Sequence, residues 1–143
     1  MVDNGEALPL DVAFVLREGR DLTLISWGAM VKETLAAADE LAAEGIAAEV
    51  IDLATLKPYD EDTVLASVGK TGRCVIVHEA ARTGGFGAEI AALIAERGLL
   101  SLLAPVVRVT GYDTVIPLPR LEQYYMPSVG RIVAAARKVR IFG

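Results

Sequence analysis

The sequence has little of the side-chain chemistry that enzymes and metal proteins commonly use. Cys74 is the only cysteine and His78 is the only histidine among 143 residues. A single cysteine excludes a disulfide within the chain and any site with several cysteine ligands. A single histidine excludes a histidine-rich metal site and leaves a Ser-His-Asp site with only one possible base.

Basic charge and long apolar runs are also scarce. Lysine and arginine together number 14 against 19 aspartates and glutamates, which gives a formal net charge of -5. Nucleic-acid-binding proteins usually have the opposite bias, so no nucleic-acid partner is expected. Charged residues interrupt every apolar run well before ~18 residues, and the N-terminus lacks the basic and apolar regions of a signal peptide. These features predict a soluble, cytoplasmic protein without a membrane partner.

Strands and helices are predicted to alternate along the chain. Apolar runs predict strands at residues 12–16, 22–26, 49–53, 74–78 and 106–109. The first two strands are predicted to form a hairpin, helices follow the second, third and fourth strands, and a last helix occupies residues 128–140. This order predicts an α/β fold of three layers, with a mainly parallel five-stranded sheet and one antiparallel edge strand. Residues 10–143 would form one domain, and residues 1–9 a linker or a non-native remnant.

Two finer predictions concern the helices and the last loop. Val31, Leu35, Ala38 and Ala42 recur at helical spacing and are predicted to face the core from the first helix. Residues 111–127 are predicted to be a loop, which Pro117 and Pro119 keep irregular. The aromatic stretch at residues 124–127 would either cover the core or meet a partner.

The carboxyl ends of the strands are where ligands or partners are expected in such a sheet. Residues 83–87 follow a strand and open a helix, which is the position of a dinucleotide-binding turn. Gly85 and Gly87 supply the first two glycines of that fingerprint, but Ile90 occupies the third position. A tight turn with close backbone approach is one interpretation of these glycines, and an anion-binding turn is the other.

Chemistry-bearing residues near this turn also have two interpretations. His78 and Glu79 end the strand before the turn. Either Glu79 would orient the ring for acid–base work, or His78 would fix the loop by hydrogen bonds or touch a neighbouring domain. Arg82 is predicted to pair with Glu79 or to bind an acidic group. Cys74 is predicted to be a small buried side chain. Residues Arg131, Arg137, Lys138 and Arg140 would complement the dipole of the last helix or bind phosphate.

Several segments resemble a known family. Residues 24–30, 51–53 and 56–60 resemble the C-terminal domain of transketolase-like enzymes. Residues 78–90 and 108–117, followed by Leu121-Glu122 and residues 125–128, resemble the β subunit of 2-oxo acid dehydrogenase E1 components. The resemblance covers residues 10–140 and leans to the branched-chain enzymes, with pyruvate and acetoin enzymes as alternatives.

The resemblance implies a role inside a larger enzyme. The family decarboxylates a 2-oxo acid on thiamine diphosphate and transfers the acyl group to the lipoyl group of E2. Its cofactor and magnesium are held by the E1 α subunit and the N-terminal domain of the β subunit, so no catalytic, cofactor or metal residue is expected in this chain. Assembly with an α subunit and a second β subunit, and docking of a basic E2 subunit-binding domain, are the functions implied.

The same resemblance suggests contact residues. Thr83, Gly84, Gly85 and Phe86 are the candidates for subunit contact, His78, Glu79 and Arg82 for organising their loop, and Ile141 and Phe142 for E2 docking. Two alternatives stay open. The chain is a free-standing nucleotide- or anion-binding module, or it belongs to a split transketolase or a deoxyxylulose-phosphate synthase.

Overall fold

A computed structural model describes residues 9–142, so the predicted linker lies almost entirely outside the described residues. Five strands form one sheet: β1 Phe14–Arg17, β2 Leu22–Ser26, β3 Ala48–Asp52, β4 Cys74–His78 and β5 Val107–Thr110. The helices are α1 Met30–Ala43, α2 Glu61–Thr71, α3 Gly87–Arg97, α4 Pro119–Tyr125 and α5 Val129–Arg140. A short 3-10 turn, Leu99–Ser101, precedes β5. None of these helices is long and apolar enough to span a bilayer.

The sheet has the order β1-β3-β2-β4-β5. Strands β2, β3, β4 and β5 run parallel to one another, and β1 is an edge strand that pairs antiparallel with β3. The predicted α/β fold, with a five-stranded sheet and one antiparallel edge strand, is therefore confirmed. Helices cover both faces, as right-handed crossovers between parallel strands require.

The predicted hairpin of the first two strands is wrong, because β1 pairs with β3 and not with β2. The turn between β1 and β2 bonds to the start of β3 instead of closing on itself. Arg20 and Asp21 donate their amides to the carbonyl of Ala47, and Asp21 Oδ2 accepts the amide of Ala47 at 2.7 Å. A Cβ at Gly19 would collide with the backbone of β3, so this close approach depends on glycine.

Two apolar layers lie on either side of the sheet. Leu22 and Leu24 of β2 pack with α1 and α5, whereas Ile25 packs with α2 and α3. Every residue of β2 and β4 is buried, because the central strands of a covered parallel sheet face protein on both sides. The polar residues of these strands are therefore buried too, and Thr23 bonds to the hydroxyls of Ser67 and Thr71.

The buried face of α1 differs from the predicted one. The buried residues are Met30, Thr34, Ala37, Ala38 and Leu41, whereas Val31 and Leu35 are only half-buried and Ala42 is exposed. Because α1 contains five alanines, two neighbouring faces of the helix are equally apolar in the sequence. Thr34 fits the buried stripe because its hydroxyl donates to the Met30 carbonyl at 2.8 Å.

Residues 119–125 form a helix where an irregular loop was predicted. Pro119 begins α4, a position at which proline costs no hydrogen bond. Tyr125 is the only buried residue of α4. The aromatic stretch at residues 124–127 is thus split, since Tyr125 covers the core while Tyr124 is 71% exposed.

Candidate functional site at the carboxyl edge of the sheet

An aromatic cluster lies at the carboxyl edge of the sheet and consists of Trp27, Tyr59, His78 and Phe86. The His78 ring stacks on Trp27, with centroids 5.3 Å apart and an interplanar angle of 14°. Phe86 meets Trp27 edge-on at 6.0 Å and Tyr59 edge-on at 5.4 Å. Neighbouring parallel strands β2 and β4 end beside each other, which brings Trp27 and His78 together. The cluster therefore seals the core beneath the start of α3.

The glycines of residues 83–87 shape the backbone around the His78 ring. A Cβ at Gly87 would lie 2.5 Å from His78 Nε2, and one at Gly85 would lie 2.6 Å from His78 Cε1. Gly84 has a φ of 71°, a conformation that side chains disfavour. The predicted tight turn with close backbone approach is thus present, and the neighbour it approaches is His78.

His78 is held mainly by packing. The residue is 1% exposed, and neither ring nitrogen has a hydrogen-bond partner among the described residues. Burial, and secondarily the charge of Arg108, hold the pKa of His78 below its usual value, so the ring is neutral at pH 7. Glu79 is exposed and makes no bond to the ring within residues 9–142. The geometry favours the structural interpretation of His78, through stacking instead of the predicted hydrogen bonds.

Two loops of the carboxyl edge are tied together by Thr83 and Asp113. The Thr83 amide donates to Asp113 Oδ1 and the Thr83 hydroxyl to Oδ2, both at 2.8 Å. The amide of Gly111 also donates to the Ala80 carbonyl at 3.1 Å. These Thr83 bonds, and to a lesser extent the Arg82 charge, hold the pKa of Asp113 below its usual value. The loop after β4 is therefore braced by the loop after β5.

Arg82 does not form the predicted pair with Glu79 in the described part of the chain. Its guanidinium donates to the Arg108 carbonyl at 3.3 Å, and the Arg108 guanidinium donates to the Arg82 carbonyl at 3.1 Å. The two arginines hold each other through backbone oxygens, so their charges remain available. Arg82 contacts β5 instead of Glu79, and its role in organising the loop stays a prediction.

Arg131 is a site residue that sequence reasoning missed. It donates to the Thr110 carbonyl at 2.6 Å and to the Met126 carbonyl at 3.3 Å, and its guanidinium lies 4.7 Å from the centre of the Tyr112 ring. It thus joins β5 to both ends of the segment that contains α4. In the sequence, Arg131 stood out only as one of four basic residues in the last helix. That pattern predicted that it would complement the helix dipole or bind phosphate.

An apolar surface projects outward beyond these braces. Its members are all more than half exposed: Val115 88%, Ile116 66%, Leu118 82%, Leu121 55% and Tyr124 71%. We call this set the carboxyl-edge apolar surface. Single exposed apolar residues are common on protein surfaces. A group of large ones, in contrast, is characteristic of a contact surface.

The predicted contact residues divide into two groups. Gly85 is buried and Phe86 is half-buried in the aromatic cluster, whereas Thr83 and Gly84 are exposed. At the other end of the chain, Ile141 and Phe142 are 81% and 54% exposed. Cys74 is fully buried, which confirms its predicted place, and burial raises the pKa of its thiol.

The turn at residues 83–87 does not fit a phosphate-bearing ligand. No group of three or more His, Cys, Asp or Glu that could hold a metal occurs within residues 9–142. At the start of α3, the amides of Ala88 and Glu89 donate to the carbonyls of Gly85 and Phe86. Since the glycine faces are closed by the His78 ring, the turn offers no cradle for a phosphate group.

These features define an α/β domain whose carboxyl edge is closed by aromatic packing and carries exposed apolar side chains. The family model described as "Transketolase, C-terminal domain" matches residues 11–132. The chain therefore belongs to the transketolase C-terminal-domain family.

Two curated relatives are named as β subunits of pyruvate dehydrogenase E1. The chain is 49% identical over 135 residues to "Pyruvate dehydrogenase E1 component subunit beta" of Bacillus subtilis, covering 94% of this chain and 42% of the relative. The protein of the same name from Staphylococcus epidermidis is 51% identical over 125 residues, covering 87% and 38%. The chain spans about two fifths of the length of these curated relatives.

A solved structure shares the fold closely. "Split gene transketolase, inactive beta4 tetramer" superposes with a TM-score of 0.83 at 34% identity, covering 94% of this chain and 43% of that one. The relatives named above carry pyruvate names, so they give no support to the branched-chain leaning.

Proposed function

We propose that the chain is the C-terminal assembly section of an E1 β subunit in a thiamine-dependent 2-oxo acid dehydrogenase, with pyruvate as the 2-oxo acid. The identity of about one residue in two to pyruvate dehydrogenase β subunits supports this proposal over the branched-chain alternative. In the whole enzyme, decarboxylation and transfer of the acyl group to E2 would take place outside this section. A cytoplasmic location remains a prediction.

The observation that carries the assembly role is the carboxyl-edge apolar surface. Five large side chains lie exposed within ten residues, on a segment that Arg131 and the Thr83–Asp113 bonds hold in place. Fully burying one such side chain would stabilise a complex by about 1.5–3 kcal/mol. Covering part of this surface would therefore favour association. We propose that neighbouring E1 subunits or sections cover it, with Thr83 and Gly84 at its margin.

Thiamine diphosphate and magnesium belong to the other parts of the parent enzyme in this proposal. Support comes from the closed turn at residues 83–87 and from the lack of a cluster of three metal-ligating side chains within residues 9–142. The partners would be an E1 α subunit and a second β subunit. When bound, the cofactor would supply the electron sink for decarboxylation.

Docking of an E2 subunit-binding domain near Ile141 and Phe142 is a further part of the proposal. Their exposed apolar side chains support a contact at this point. The net charge of -5 favours a basic partner for the protein as a whole, but Arg82, Arg108 and Lys138 lie beside Phe142. E2 contact here would therefore depend on apolar burial, and calorimetric titration should give an affinity that does not fall as salt increases.

The split transketolase is the second candidate parent. A solved structure of that kind at 34% identity favours it, but the pyruvate dehydrogenase β subunits are more similar. The poor fit of residues 83–87 to a phosphate argues against a free-standing nucleotide- or anion-binding module.

A chimera tests the assembly role. This chain would replace the matching section of the Bacillus subtilis β subunit and be co-expressed with that organism's E1 α subunit. Sedimentation would measure assembly, and dye reduction with pyruvate would measure activity. The surface variant is Leu121→Asp, and the control is Leu100→Asp, because Leu100 is 101% exposed but lies in the 3-10 turn before β5.

The chimera and its Leu100→Asp control should assemble and decarboxylate pyruvate, whereas Leu121→Asp should leave the subunits separate. The proposal fails if the folded chimera does not assemble. It also fails if Leu121→Asp assembles as well as the control.

A further inference from the structure

A groove lies between α1 and the turns that follow β2 and β3. Its volume is about 800 Å³, within the size range of small-molecule sites. Its apolar lining consists of Val31, Leu35 and Ala36 of α1, and the turns contribute Gly28 and Ala54. We call this the α1 groove. It belongs to the carboxyl edge of the sheet but not to the aromatic cluster or to the carboxyl-edge apolar surface.

The α1 groove is lined by apolar side chains that the core does not take up. Helical spacing predicts Val31 and Leu35 in the core, yet both are only half-buried, and Ala36 is exposed. A ligand that covered these side chains would remove apolar area from water, which favours binding. The second apolar face of α1 therefore offers a contact to an aliphatic group.

Two opposite charges in the α1 groove have no partner. Lys32 and Asp52 both line it, and neither forms an ion pair within residues 9–142, with the other or with any third residue. The remaining charged residue of the lining, Asp39, is paired with Arg17 at 2.6 Å. The groove thus presents one separate cation and one separate anion beside an apolar surface.

The carboxylate of Asp52 is held in place. Its Oδ1 accepts the Ala54 amide at 2.9 Å, whereas its Oδ2 has no hydrogen bond within residues 9–142. Ala54 has a φ of 55° and is the only non-glycine residue of that range in the left-handed region. Such backbone strain is concentrated at functional sites, and here it accompanies the bond that orients the carboxylate. Binding an ammonium group at Oδ2 would cost this carboxylate little further ordering.

We propose that the α1 groove binds a free aliphatic α-amino acid. The ligand carboxylate would meet Lys32, its ammonium group Asp52, and its side chain Val31 and Leu35. A zwitterion satisfies both charges of the groove, whereas a fatty acid or an alkylamine satisfies only one. A polypeptide segment has neutral amides in place of the two charges and would leave both unpaired. This inference stands independently of the proposed E1 role.

An NMR titration of the ¹⁵N-labelled chain with L-leucine tests the proposal. Leucine should cause saturable shifts in the amides of residues 28–36 and 52–54, with a dissociation constant of about 1–10 mM. Glycine lacks the side chain, 4-methylpentanoate lacks the ammonium group, and 3-methylbutylamine lacks the carboxylate. Each of these compounds should bind about threefold or more weakly than leucine.

Substitutions in the groove separate specific from general effects of charge. Lys32→Met and Asp52→Asn each remove one charge, and asparagine keeps an oxygen that can accept the Ala54 amide. Each should weaken leucine binding about threefold or more. Lys57→Met is the matched control, since Lys57 is exposed outside the groove and its loss changes the net charge as Lys32→Met does. It should change the affinity less than about twofold.

The proposal is overturned if leucine causes no saturable shifts or if the shifts lie outside the groove. It is also overturned if 4-methylpentanoate or 3-methylbutylamine binds as tightly as leucine, since one charge and an apolar group would then suffice. Equal weakening by Lys57→Met and Lys32→Met would likewise contradict a contact at Lys32.

Discussion

The contact between Gly87 and His78 allows a sharp test of how the carboxyl edge is built. A Cβ at position 87 would lie 2.5 Å from His78 Nε2, 2.6 Å from Cδ2 and 3.2 Å from Ile76 Cγ2. Since ordinary contacts begin at 3.4 Å, the ring or α3 must move by nearly one ångström. The ring is stacked on Trp27 and has little room to move.

Two opposing effects set the size of the change in Gly87→Ala. Alanine is favoured over glycine in a helix by up to about 1 kcal/mol, while forcing extra volume into a packed core costs about 1–3 kcal/mol. We expect a net loss of about 1–2 kcal/mol in the free energy of unfolding. Gly130→Ala is the control, because Gly130 lies in the first turn of α5 with no atom within 4 Å of its Cβ position. It should stabilise the chain by up to about 1 kcal/mol.

Urea denaturation of four proteins, the parent chain, Gly87→Ala, His78→Ala and the double variant, isolates the contact. Removing the ring should relieve the clash, so the two substitutions should be non-additive by about 1–3 kcal/mol. If the losses simply add, or if Gly87→Ala stabilises as much as Gly130→Ala, the packing argument is refuted.

Three further predictions concern the core and the sheet. Because the pKa of His78 is lowered, the folded chain binds fewer protons than the unfolded chain below about pH 6.5, so the free energy of unfolding should fall by up to about 1.4 kcal/mol per pH unit there. His78→Phe should reduce this slope in urea titrations between pH 7.5 and 5.5, a range in which carboxylates such as Glu49 contribute little, and an unchanged slope would contradict the assignment. Gly85→Val should lower the melting temperature, since its side chain would meet His78 and the Ala81 carbonyl, and unchanged melting would refute this. Lys70→Met should cost about 2–4 kcal/mol in urea denaturation by leaving Glu49, 2% exposed, without its cation, and a loss below about 1 kcal/mol would show that the pair is unimportant.

Much of the fold could be predicted because its signals are local. Short runs rich in apolar residues indicated β2, β3 and β4. The start of α2 is also set locally, since the Asp60 carboxylate accepts the Thr63 amide at 2.9 Å. The partner of β1 could not be predicted, because it depends on bonds from Arg20 and Asp21 to Ala47, which are remote in sequence. Two strands joined by a tight turn look like a hairpin unless this contact is known.

The candidate site was predictable in place but not in detail. The expected loops do meet at the carboxyl edge, since parallel strands end on the same side. Whether the His78 ring forms hydrogen bonds or stacks on an aromatic ring depends on the residue at the end of the neighbouring strand. Trp27 lies there only because β2 is next to β4 in this sheet order. Arg131 acts across 21 residues on Thr110, a distance at which sequence periodicity carries no information.

Hydrogen–deuterium exchange of the assembled chimera measures most directly whether the carboxyl-edge apolar surface joins this domain to the rest of an E1 enzyme. Peptides from residues 112–124 and 99–103 would be compared between the free chain and the chimera bound to the α subunit. We predict that exchange in residues 112–124 slows by about tenfold or more on assembly, while residues 99–103 remain unchanged. Unchanged exchange in residues 112–124, with protection at residues 99–103, would contradict the assembly role of this surface.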